Sequence, residues 1–167
     1  MGVRFNADEV FEMAIRIEKN GADFYRKAGE LQSDEKIKDF FGRLVAMEQQ
    51  HIDVFEDMRA SLTEADRSGE VYDPDEELSY YLESMADAHG GEGDPSTAHA
   101  LTGNESLENI LKTAIGLEKQ SILFYTGLKD MVPPKQGRGR IQTIIEEETK
   151  HVSQLAGVLE QTQAGGG

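Results

Sequence analysis

The residues Ala14 to Tyr25, AIRIEKNGADFY, return 100 positions later as AIGLEKQSILFY, Ala114 to Tyr125, with Ala, Ile, Glu, Lys, Phe and Tyr identical. At the same offset and without a gap, Glu48-Gln-Gln-His51 falls on Glu148-Thr-Lys-His151. Apolar positions follow the same rule: Leu44 faces Ile144, Val45 faces Ile145, Ile52 faces Val152 and Phe55 faces Leu155. Two such matches at one offset make the chain two copies of one structural unit, and only folds that can be built by duplication stay open.

The unit is a helical hairpin. Val10, Phe11, Ala14, Ile15, Ala22 and Tyr25 recur at helical spacing, which predicts a first helix from Ala7 to about Gly29, opened by Asn6 with Glu9 as a capping box. Ile37, Phe40, Phe41, Leu44, Val45, Ile52, Phe55, Met58 and Leu62 mark a second, with Ser33 as its cap. A third runs from about Glu105 to Asp130 on Leu107, Leu111, Ala114, Ile115, Ile122 and Tyr125, and Thr102 with Glu105 repeats the capping-box spacing. Pro133 and Pro134 end it and open a fourth, striped by Ile141, Ile144, Ile145, Val152, Leu155 and Leu159, with Gly137 and Gly139 blurring its start. The expected fold is all-α, a four-helix bundle in one domain over residues 1–161, with a disordered tail over 162–167.

Between the hairpins, Ser68 to Gly103 is too long for a turn. It holds a short helical candidate, Pro74 to about Ala88, then the Gly-rich stretch His89 to Pro95. Some 36 residues can run the length of a bundle, so the segment reads as a crossover. It also concentrates the charge. The chain has 17 Lys and Arg against 32 Asp and Glu, a net of −15, and residues 64–94 alone hold 11 acidic side chains against Arg67. Such a balance argues against nucleic acid as a partner, and no run of about 18 apolar residues is present to span a bilayer. The start, MGVRFNADEV, lacks the pattern of a secretory signal, so a cytoplasmic location is expected. None of the 167 residues is Cys, which excludes disulfides, iron–sulfur clusters and thiolate zinc sites.

Six ionisable side chains fall on the apolar faces. Glu18 lies among Ala14, Ile15, Ala22 and Tyr25, and Glu118 sits identically in the second copy. Glu48 and His51 share a face with Phe41, Leu44, Ile52 and Phe55; Glu148 and His151 share one with Ile141, Ile144, Val152 and Leu155. Glu18 and Glu48 each lie about 13 or 14 residues from their hairpin turn, roughly 20 Å at the helical rise, so the groups are level near mid-bundle. Lone buried carboxylates cost several kcal/mol, and no Lys or Arg shares their positions, which leaves metal as the counter-charge. One Glu from each of two helices and Glu-x-x-His from each of the other two is the ligand set of ferritin-like di-iron bundles. Four carboxylates balance two divalent cations, and oxygen with imidazole suits iron or manganese. If a two-fold axis perpendicular to the bundle relates the hairpins, the second and third helices run parallel and the crossover is required.

Through AIRIEKNGADFY, EQQH, AIGLEKQSILFY and ETKH, over roughly 7–66 and 105–161, the sequence resembles the rubrerythrin type of the ferritin-like superfamily. The resemblance implies a ferritin-like bundle holding two iron ions, although Mn or Zn could occupy the sites. It implies that Glu18 and Glu118 are terminal ligands, that Glu48 and Glu148 bridge, that His51 and His151 each bind one iron, and that Tyr25 and Tyr125 bond ligand carboxylates. It also implies an oxidoreductase coupling Fe(II) oxidation to reduction of O2 or H2O2, fed by an external electron donor, with iron sequestration without turnover as the alternative. Large cage storage is less favoured, since no feature specifies an assembly; a homodimer stays open. Two features set the chain apart: Ser121 stands where rubrerythrins carry a further Glu one turn past the third-helix ligand, and without Cys there is no cysteine-bound iron centre. His89, His99, Glu92 and Asp94 read as a solvated loop, Lys135, Arg138 and Arg140 as a water-facing cluster, and Met13, Met47, Met58 and Met131 as ordinary helix residues.

Overall fold

The computed structural model describes residues 5–69 and 101–166. These form helices α1 (Ala7–Glu30), α2 (Glu35–Ala60), α3 (Glu64–Ser68), α4 (Leu107–Met131) and α5 (Arg138–Gly165), with a 3-10 turn at Pro134–Gln136 and no strand among the described residues. The expected helix at Pro74 to Ala88, the loop His89 to Pro95 and most of the acidic run lie outside the described residues.

The helix ends show which local forces win. Asn6 and Glu9 make the expected capping box, each side chain accepting from the other's backbone N–H at 2.9 Å. The α2 cap is Asp34 rather than Ser33: its carboxylate accepts from Lys36 N at 2.8 Å, and a charged acceptor suits the positive helix end better than a hydroxyl. Thr102 and Glu105 do bond, but in a turn ahead of α4, where Thr102 N and Oγ1 and Gly103 N all donate to the Glu105 carboxylate. Ser106 caps the helix instead, accepting from Asn109 N. α5 continues to Gly165, so residues 162–165 are helical where a tail was expected, and Gln163 Nε2 donates to Glu108 Oε1 at 3.1 Å on the first turn of α4.

Two apolar clusters fix the topology. One gathers Val10, Phe11, Ala14 and Ile15 from the start of α1, Ile52, Phe55 and Met58 from the end of α2, Phe124, Tyr125, Leu128 and Val132 from the end of α4, and Ile141 and Ile144 from the start of α5. The other gathers the end of α1 (Phe24, Tyr25, Ala28), the start of α2 (Phe40, Phe41, Leu44), the start of α4 (Ile110, Leu111, Ala114) and Leu155 of α5. α2 and α4 therefore both run toward the first cluster: they are parallel, and the hairpin turns lie at opposite ends of the bundle. This is the arrangement expected of a two-fold axis across the bundle. The link between α2 and α4 must travel its length, about 39 Å for a helix of 26 residues.

Lys135 and Arg140 are exposed as expected and Arg138 is half-buried, and the two arginines also tie the end of the bundle that holds the turn into α5. Arg138 Nε donates to Val132 O at 2.8 Å, and Arg140 Nη1 pairs with Asp57 at 2.7 Å, bridging α5 to α2. Arg59 grips Asp8 with two bonds of 2.9 and 2.8 Å, and Arg67 of α3 reaches the same carboxylate at 2.6 Å. Gly137 turns the chain into α5 with φ +109°, where a side chain is strained, and a Cβ there would stand 2.6 Å from Met58 Cε. Gly137→Ala is expected to lower unfolding stability by about 1–3 kcal/mol in denaturant titration, with the helical circular dichroism retained.

Candidate metal centre

Between the two apolar clusters lies a polar layer. Glu18, Glu48, His51, Glu118, Glu148 and His151 are each no more than 4% exposed, and no Lys or Arg is buried among the described residues. Helical spacing alone puts them there. Glu18 and Glu118 each follow a buried Ala by four residues and precede a buried Tyr by seven, and each Glu-x-x-His pair spans one turn of α2 or α5.

One ligand atom from each of Glu18, Glu48, His51 and Glu148 falls in a group whose members all lie within 4.8 Å of one another. Glu48, Glu118, Glu148 and His151 form a second such group, so the two overlap in Glu48 and Glu148. His51 Nδ1 is 3.0 Å from Glu148 Oε1 and 3.3 Å from Glu18 Oε2, yet aligned for a hydrogen bond with neither. His151 Nδ1 is 2.8 Å from Glu148 Oε2 and 3.4 Å from both Glu48 Oε1 and Glu118 Oε1. The imidazole rings lie 5.8 Å apart, inclined to one another by 28°. Glu18 Oε2, Glu48 Oε1 and Glu148 Oε1 are buried with no hydrogen-bond partner among the described residues. Buried acceptors without donors are costly, and a pair of divalent cations would supply what they lack. The donor set is all oxygen and imidazole, as iron and manganese prefer.

The protonation states describe the same tension. Burial raises the Glu18 carboxyl, reinforced by the charge of Glu148, and raises Glu48 further, reinforced by Glu18. Burial alone would push the imidazoles down. The carboxylates outweigh it, Glu148 and Glu18 holding His51 up at about 11, and Glu118, Glu148 and Glu48 holding His151 up at about 12. Without metal, protons are the counter-charge.

Tyr25 of α1 donates its hydroxyl hydrogen bond to Glu118 Oε1 of α4, and Tyr125 of α4 donates to Glu18 Oε1 of α1. Each tyrosine thus steadies a carboxylate of the other hairpin. Burial, then the charge of the facing Glu118 or Glu18, pushes both phenols well above their ordinary value, so both stay protonated donors. Ser121, one turn past Glu118, is buried and donates only to Leu117 O at 3.1 Å. Its repeat counterpart is Gly21, where a Cβ would stand 3.1 Å from Glu48 Oε2. The small residue lets the Glu48 carboxylate lie close against α1.

The model of the rubrerythrin family matches residues 9–159. The chain belongs to the rubrerythrin family. This is a family of di-iron carboxylate proteins, and the buried Glu and His groups of this member could hold such a centre. Its fold is ferritin-like: a crystal structure from Thermotoga maritima, assigned as a ferritin-like diiron-carboxylate protein, superposes with a TM-score of 0.73 at 22% identity, covering 97% of this chain and 99% of that one. No curated protein matches the sequence. No described helix is long and apolar enough to cross a membrane.

All six residues singled out from the sequence converge, and both tyrosines reach them. Sequence reasoning missed Glu147, whose Oε2 lies 2.9 Å from His51 Nε2, and Gly21. Glu147 is three residues after the buried Ile144 and four before His151, so it flanks the inward face, a signal visible in the helical spacing. His89, His99, Glu92 and Asp94 lie outside the described residues.

The raised groups fix the sign of a pH dependence. Folded Glu18 and Glu48 keep protons above the ordinary 4.5 at which the unfolded chain loses them, and folded His51 and His151 keep theirs from 6.5 up to about 11 and 12. The native state binds more protons across this range, so the stability of the metal-free protein falls as pH rises. Its melting temperature should decline between pH 5 and 9. Loading with a divalent cation should release protons and flatten or reverse that slope, as calorimetric melting in chelator and in added metal will report.

Proposed function

We propose that the layer is a di-iron centre and that the protein is an oxidoreductase coupling Fe(II) oxidation to the reduction of O2 or H2O2. The observation that carries this reading is the overlap of two four-ligand groups in Glu48 and Glu148. In it, Glu18 and His51 would hold one iron and Glu118 and His151 the other, with Glu48 and Glu148 common to both groups. Two iron ions held so would supply two electrons to one oxidant, each Fe(II) giving one.

The chain's own residues set the conditions. Apolar clusters above and below keep bulk water out and deepen the field of the carboxylates. Tyr25 and Tyr125 hold Glu118 and Glu18 by one oxygen each, leaving the second free to bind. Fe(II), O2 or H2O2 and an external electron donor are the partners this reading requires, in a cytoplasmic setting.

A second reading has its own support. With no Cys in the chain, no thiolate-bound iron can relay electrons within it, which favours sequestration of iron without sustained turnover. Stopped-flow mixing of anaerobically Fe(II)-loaded protein with O2 or H2O2 separates the two. The oxidoreductase reading expects rapid oxidation that recurs when a reductant is supplied. Losing a ligand should cost more than the roughly 10–100-fold typical of an outer partner, so Glu48→Ala should be slowed by more than that. Wild-type rates in Glu48→Ala would contradict the assignment, and a single slow oxidation without turnover would favour sequestration.

A further inference from the structure

The repeat makes the proposed ligands equal in pairs: Glu18 with Glu118, Glu48 with Glu148, His51 with His151, and Tyr25 with Tyr125 behind them. The pairing breaks at the outer edge of the imidazoles. His51 Nε2 lies 2.9 Å from Glu147 Oε2, a carboxylate of α5 that is about one-third exposed and reaches across to α2. His51 Nδ1 faces Glu148 and Glu18. The ring is thus spanned by carboxylates, Nε2–H donating outward to Glu147 and Nδ1 turned inward.

The other half lacks this bond. The repeat counterpart of Glu147 is Met47, whose thioether is a weak acceptor. His151 also turns Nδ1 to the carboxylates, but its Nε2 is buried and has no partner among the described residues.

A carboxylate on the distal N–H of a metal-binding imidazole fixes its tautomer, holds the ring and makes the inward nitrogen a better donor; removing such a partner typically costs about 10–100-fold in metal affinity. We propose that the two metal positions are unequal, with Glu147 the positioning residue that makes the group of Glu18, Glu48, His51 and Glu148 the tighter one, filled first. The group of Glu48, Glu118, Glu148 and His151 fills second. This inference rests on the metal-centre reading and adds to it an order of loading.

Titration of the metal-free full chain with Co(II), followed by calorimetry and by native mass spectrometry of the one-metal and two-metal forms, tests it without any turnover. Wild type should show two steps separated by at least about tenfold in Kd. Glu147→Ala should weaken the first step and leave the second nearly unchanged, closing the gap, while Glu147→Gln, which keeps an acceptor without the charge, should fall between. Met47→Glu should close the gap from the other side by tightening the second step. His151→Ala should retain the tight step and His51→Ala should lose it, with circular dichroism confirming the fold of each variant. Equal affinities in the wild type, or a gap that survives in both Glu147 variants, would overturn the inference and leave the metal centre standing. No Co(II) bound at all would overturn both.

Discussion

Four carboxylates and two imidazoles buried at one level between two apolar clusters are the constraint on which the rest of this structure depends. Clusters of Phe, Leu and Ile above and below supply the burial that holds the helices together. The layer between works against them, since each charge is removed from water and each carboxylate repels its neighbours. The chain answers with protons held on His51 and His151, with Glu18 and Glu48 carboxyls raised by burial, with phenol hydrogen bonds from Tyr25 and Tyr125, and with an Nε2 contact to Glu147. Two divalent cations would satisfy the same groups at once, which is why the layer can be tolerated in a bundle of this size.

Duplication explains how six such groups meet. In one hairpin, Glu18 of α1 and the Glu48–His51 pair of α2 present three donors at mid-height, too few to enclose two cations. The two-fold relation brings the second hairpin's three to the same level with the opposite sense, and the tyrosines then cross between copies, Tyr25 to Glu118 and Tyr125 to Glu18. Parallel α2 and α4 follow from that symmetry, and so does a connection as long as the bundle. Where the copies have diverged, at Met47 against Glu147 and at Gly21 against Ser121, the two halves of the layer are no longer interchangeable.

Helix identity, pairing and the inward residues were legible in the sequence because they rest on spacing, which is cumulative over 24 to 28 residues per helix. Glu18 is readable as buried because Ala14, Ile15, Ala22 and Tyr25 all vote for the same face. Ends were less legible because single bonds decide them: Asp34 displaced Ser33 through one stronger acceptor, and Ser106 caps α4 where Thr102 was expected to. The extension of α5 to Gly165 comes with a bond from Gln163 to Glu108 of α4 that the Gln-Ala-Gly sequence does not announce. Arg140 is solvent-facing as its sequence context suggests, but the partners Val132 O of Arg138 and Asp57 of Arg140 emerge only from the fold. Glu147 was hidden for a related reason. In a run of three glutamates, spacing marks Glu148 as inward but does not say that its neighbour reaches the imidazole of another helix.

Anomalous diffraction from crystals of the protein loaded anaerobically with Fe(II), collected at the iron edge, tests the central claim most directly. The account predicts two iron peaks about 3.5–4 Å apart in the polar layer, one beside His51 and one beside His151, with Glu48 and Glu148 between them. A single peak, or iron bound only outside the six residues, would contradict it.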